Sequence, residues 1–128
     1  MTSARFVTLM LWLAGLFFLA PGVWAFAAPH SFYDQVAMFP PYNRHLLHDI
    51  GAFQIGIGVA LLLALRWSDA RFAALSGAGV AASVHVISHI IDRDLGGDGG
   101  QTGVFAVLAV LLLVAAALRW NAATGDCG

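Results

Sequence analysis

Lysine and glutamate are absent from this chain: the six basic residues are all arginine and the seven acidic ones all aspartate. Charge of either sign is scarce, at 10% of 128 residues, against roughly 25% in an ordinary soluble domain. The near-neutral balance, a net charge of −1, excludes the basic footprint of a nucleic-acid binder, so no nucleic acid is expected as a partner. Cysteine occurs once, as Cys127. It cannot form an internal disulfide, and no Cys-x-x-Cys-His is present to attach haem covalently. A thiol needs an electropositive setting to react, and this tail offers none.

What the chain has instead is apolar length. Crossing a bilayer takes about 20 residues of helix. Four segments qualify, at about 6–28, 45–65, 72–91 and 101–120. The expected fold is all-α: one integral membrane domain over 1–128, built as an antiparallel four-transmembrane-helix bundle with the lipid bilayer as its partner. Loops are expected at 29–44 and, glycine-rich, at 92–100. The first segment has a rival reading. Arg5, an apolar run and Ala25-Phe26-Ala27 resemble a cleavable secretory signal. The run exceeds a usual signal core, and Trp24 and Phe26 suit the interface anchor of a retained helix.

Orientation follows from the arginines. With four spans, Arg5, Arg66, Arg71 and Arg119 fall on one side, and Arg44 and Arg93 on the other. The positive-inside rule then places both termini in the cytoplasm of a multi-pass cell-membrane protein. The short 66–71 turn makes the second and third spans antiparallel neighbours. Ser68 or Asp69 is expected to cap the third span, Asn43 the second and Thr102 the fourth. Phe32, Tyr33, Phe39 and Tyr42 are expected at headgroup level, and Pro40-Pro41 excludes helix there.

This topology sends all five histidines to one side. His45, His48 and Asp49 open the second span, His85, His89 and Asp92 close the third, and His30 follows the first. An ionisable group at membrane depth is costly, about 2.5–3.5 kcal/mol for a central Asp, and marks a functional site by default. His45 and Asp49 share a helix face, and His85, His89 and Asp92 form an i, i+4, i+7 stripe. Below them lie small residues, Ala52, Gly56 and Ala60 facing Ala74, Ala78 and Ala81 or Ala82. Small residues let membrane helices approach closely. A close interface capped by facing polar groups is therefore expected.

Three functions fit such a constellation. Imidazoles and carboxylates projecting from facing helices can hold a transition-metal ion, or non-covalent haem through two axial histidines. The cofactor ligands would be His45, His85 and His89, joined by Asp49 and Asp92 for a metal, with His48, His30, Gln54 and Ser88 as further candidates. Asp49, Asp92 or Ser88 could orient the rings. Alternatively, the same groups form a helix-pairing network in a non-catalytic membrane subunit that recognises another membrane protein or lipid. A third reading is a recess that handles protons or a small molecule, as transporter or enzyme. Homo-oligomerisation and membership of a larger membrane complex both stay open. The acidic, glycine-rich 92–100 stretch lacks the fifth- and twelfth-position ligands of a calcium loop and reads as a turn.

At Pro29-His30-Ser31-Phe32-Tyr33-Asp34, at Asn43-Arg44-His45 through Asp49-Ile50-Gly51-Ala52, and at His85 through His89, the chain resembles a group of uncharacterised small four-helix integral membrane proteins. They belong to high-GC Gram-positive bacteria and are loosely similar in layout to DoxX-like proteins. The resemblance runs from the first helix to the fourth and matches the group's pattern at Asn43, His45, Asp49, His85 and His89. His48 departs from it, since arginine is commoner there. The resemblance implies the fold and carries no activity to transfer.

Overall fold

The computed structural model describes residues 2–95 and 99–125. Gly96, Gly97 and Asp98 of the expected glycine-rich loop, and Cys127, lie outside the described residues. Five helices follow one another: α1 (Ser3–Ala27), α2 (Pro29–Gln35), α3 (Arg44–Leu63), α4 (Ala70–Ile91) and α5 (Gly99–Gly125), with no strand among the described residues. The four long helices are each long and apolar enough to cross a membrane. The expected all-α four-helix bundle of a multi-pass membrane protein is thus the architecture present.

The hub is α1. It packs along α3, touches α5 and carries α2 at its end, while α4 packs along α5. The main core joins Val7, Leu11, Ala14 and Phe18 of α1 to Leu61 of α3, Leu75 and Ala78 of α4, and Leu112 and Ala115 of α5. A smaller core at the histidine end joins Ala25, Phe32 and Leu47.

Glycine decides the closest contact. Gly15 and Gly22 on α1 and Gly51 and Gly58 on α3 are each spaced by seven. On antiparallel helices this sets Gly22 opposite Gly51 and Gly15 opposite Gly58. A Cβ at Gly58 would stand 2.7 Å from the Leu19 amide nitrogen and 2.8 Å from the Gly15 carbonyl oxygen. One at Gly51 would stand 2.8 Å from the Gly22 carbonyl oxygen. The two backbones touch because no side chain separates them.

The expected close interface of α3 with α4 is corrected. The small residues named for it do face one another, but across an open cleft of about 400 Å³ lined by Ala52, Gly56, Ala60, Ala74, Ala78 and their neighbours. A Cβ at Gly56 or Gly77 would meet nothing within 4 Å. The reason is mechanical. α3 is drawn onto α1 through its glycine face, α4 onto α5, and the pair joined by the short turn is left splayed.

Four local expectations also change. The 29–44 segment contains a helix, α2, whose Pro29 sits in the first turn, where no amide proton is needed. Phe32 is not a headgroup residue: it is 3% exposed, with its ring edge-on to Trp24 at 5.5 Å. Folding α2 back over the bundle end buries it. Asn43 caps α3 as expected, its side-chain oxygen accepting the Leu46 amide at 3.1 Å. Asp69 stands at the cap position of α4 without bonding an amide there, and the Ser68 hydroxyl donates to the Asp69 carboxylate at 3.2 Å. Arg71 ties the turn instead, donating to the Ala64 and Leu65 carbonyls at 3.2 Å each. Thr102 lies inside α5, which already begins at Gly99.

Candidate functional site

The antiparallel topology brings the five histidines to one end of the bundle, as expected, but not into one cluster. Among the described residues, each of the three polar side-chain contacts of the histidines stays within its own helix turn. In α2, His30 Nδ1 and the Asp34 carboxylate are 3.0 Å apart. In α3, His45 Nε2 lies 3.5 Å from Asp49, and the two side chains are 87% and 51% exposed. In α4, the Nε2 atoms of His85 and His89 are 3.1 Å apart. These pairs do not bridge helices, so they do not form the expected helix-pairing network. His48 makes a different kind of contact, its ring 5.0 Å from that of Phe26.

The expected ligand set of His45, Asp49, His85, His89 and Asp92 is therefore split. Among the described residues, no three His, Cys, Asp or Glu side chains form a group that could hold a metal ion. The splay of α3 from α4 explains the split. Ala52, Gly56 and Ala60 border the open cleft, and α3 presents Leu46 and Ile50 to the recess beside His85 and His89, while His45 and Asp49 stay exposed.

What remains is a built pair. His85 and His89 line a recess with Ser88 and Asp92 of α4, Leu46 and Ile50 of α3, and Phe39 of the loop. The helix repeat supplies the pairing, since positions four apart share a face. Aromatic rings hold both imidazoles. Phe105 of α5 packs 4.4 Å from the His85 ring and 6.2 Å from the His89 ring, and Phe39 stands 6.4 Å from His89. Ser88 does not orient a ring, because its hydroxyl donates to the His85 carbonyl at 2.8 Å. Asp92 ends α4 at the rim, its amide bonded back to the Ser88 carbonyl at 2.8 Å.

Gln54 has a separate place. It faces a second cavity of about 410 Å³ lined by α1, α2, α3 and α5. Its side-chain oxygen is buried without a hydrogen-bond partner among the described residues. Leaving a buried acceptor unpaired costs about 1–3 kcal/mol. Phe105 lines this cavity too, so one ring separates it from the histidine pair. Phe105 and Phe39 escape a reading by helical spacing, because each reaches the histidines from a different element. The only signal for Phe105 is the antiparallel register of α4 with α5, which sets 85 near 105.

No protein-family model, curated protein or solved structure matches this chain.

Proposed function

We propose that this membrane protein binds a divalent transition-metal ion through His85 and His89, at a recess on the outer face. The observation that carries this reading is the 3.1 Å between the two Nε2 atoms. Two imidazole nitrogens each about 2.0–2.1 Å from one ion lie about 2.9 Å apart at a right-angled corner and about 3.4 Å apart at a tetrahedral one. The pair sits between these values, so the spacing of the two nitrogens suits a chelate. Neutral imidazole suits zinc, copper, iron and nickel. Two protein ligands leave coordination positions for water or an incoming molecule, as a catalytic or transfer site needs and a closed structural site does not. The arginine distribution supports placing both termini in the cytoplasm and this recess outside. The resemblance to the small four-helix proteins of high-GC Gram-positive bacteria accords with His85 and His89 as the residues to test.

A second reading rests on the same distance. At 3.1 Å, one imidazole can donate N–H to the other, and the pair then holds a shared proton without a metal.

The test uses protein purified without a histidine tag, stripped with chelator and titrated with zinc and with cobalt(II). The expected result is one equivalent bound, with a cobalt visible spectrum that reports nitrogen ligation. Binding should vanish in the His85→Ala/His89→Ala double variant and persist in His45→Ala. Absence of binding overturns the metal reading in favour of proton sharing; equal dependence on His45 overturns the two-histidine site in favour of one shared with α3.

A further inference from the structure

The geometry points to a second site, independent of the histidine pair: the cavity between α1, α2, α3 and α5 binds a small, largely apolar molecule that carries a hydroxyl or N–H donor. Its volume of about 410 Å³ falls within the range of small-molecule pockets. Phe17, Phe18 and Pro21 of α1, Phe32 of α2 and Phe105 of α5 give it aromatic and apolar walls. Among the described residues, no lining residue is Asp, Arg or His. A charged guest would lose its hydration with no counter-charge to replace it, so the guest is neutral.

Polarity enters at two points that differ in kind. Gln101 is already engaged, donating to the Val36 carbonyl at 3.0 Å. It ties α5 to the end of α2 and acts as a strut of the wall. Gln54 is different, because its Oε1 is buried without a partner among the described residues. Lipid tails hold no donor that could serve it, and unpaired polar groups are least tolerated at such depth. A guest with one donor satisfies that oxygen while its apolar body fills the cavity. A few placed polar groups in an apolar pocket fix orientation in this way.

Access is lateral. Phe17 and Val104 line the cavity and are also 36% and 53% exposed on the outer surface of the bundle. That surface faces lipid in a four-span protein, so the guest enters from the bilayer. Pro21 shapes the same wall. It has no amide proton for the Phe17 carbonyl, so this turn of α1 carries one backbone hydrogen bond fewer than a regular turn.

The test compares 2-naphthol with 2-methoxynaphthalene, which have the same ring system with and without the donor. Binding is measured by equilibrium dialysis against the protein in phosphatidylcholine nanodiscs, with empty nanodiscs subtracting the partitioned probe. The expected result is saturable one-to-one binding of 2-naphthol, at least tenfold tighter than the ether. Gln54→Leu should remove that preference. The substitution removes a buried oxygen that has no partner among the described residues, and an unchanged melting temperature would show that the fold is kept. Val104→Phe, which narrows the cavity from its rim, should weaken both probes. Equal binding of the two probes by the unaltered protein, a donor preference that survives Gln54→Leu, or no saturable binding each overturns the proposal. Neither His85 nor His89 is altered, so the result does not depend on the metal reading.

Discussion

The α1–α3 interface and the α3–α4 cleft are built from the same kind of residue and end in opposite states. Both bring glycine and alanine face to face. In the first, backbones touch through Gly15, Gly22, Gly51 and Gly58. In the second, Ala52, Gly56, Ala60, Ala74 and Ala78 border an open cleft. Small residues therefore permit close approach without causing it. What distinguishes the first pair is register: glycines seven apart on both partners meet at two levels, and a helix closes along its length only if every level closes. Once α3 is seated on α1, chain connection alone does not draw α4 onto its other side, even across the short Arg66–Arg71 turn.

The largest effect that can break this contrast is at Gly58. Its alanine Cβ would meet backbone atoms of Leu19 and Gly15 at 2.7 and 2.8 Å, and backbone cannot rotate away. Gly58→Ala should destabilise the bundle by about 1–3 kcal/mol, the usual range for overpacking a close-fitted core. Reversible unfolding in mixed micelles would measure it. An unchanged midpoint would mean that α1 and α3 are not in backbone contact.

Gly79 should give an intermediate result. A Cβ there meets the Leu113 side chain at 2.8 Å, whose Cδ2 can swing to another rotamer. Alanine also gains up to about 1 kcal/mol over glycine in helix propensity. The two terms oppose each other, so Gly79→Ala should change stability by less than about 1 kcal/mol. A loss as large as that at Gly58 would show that α4 and α5 are as rigidly fitted as α1 and α3.

Legibility in the sequence follows the same division. The four spans and their antiparallel order were readable because apolar length and the arginine sides need no tertiary knowledge. The helix-local pairs were readable too, since His85 with His89 and His45 with Asp49 depend only on the helical repeat. Assigning both pairs to one site required knowing how α3 and α4 pack, and that depended on a competing interface. The competing signal was present in the matched spacing of Gly15 with Gly22 and Gly51 with Gly58. It lies on the face of α3 opposite the polar residues, so the two signals point α3 at different partners. Phe32 was misplaced for a related reason: an aromatic residue beside a membrane span suits the headgroup belt and the bundle core equally until the path of the loop is known.

The smallest effect sharpens the comparison most. Gly56 and Gly77 face the α3–α4 cleft, and a Cβ at either meets nothing within 4 Å. Gly56→Ala and Gly77→Ala should therefore leave stability unchanged or raise it by about 0.4–1 kcal/mol, through reduced freedom of the unfolded chain. Against Gly58→Ala, the chemical change is identical and only the surroundings differ, so the sign of the effect reads the gap between the helices directly. If alanine at 56 and 77 destabilises as much as at 58, α3 and α4 close in the bilayer, and His45 and Asp49 return as neighbours of His85 and His89. If it does not, the two histidine pairs stay apart, and the chemistry of this end rests on α4 alone.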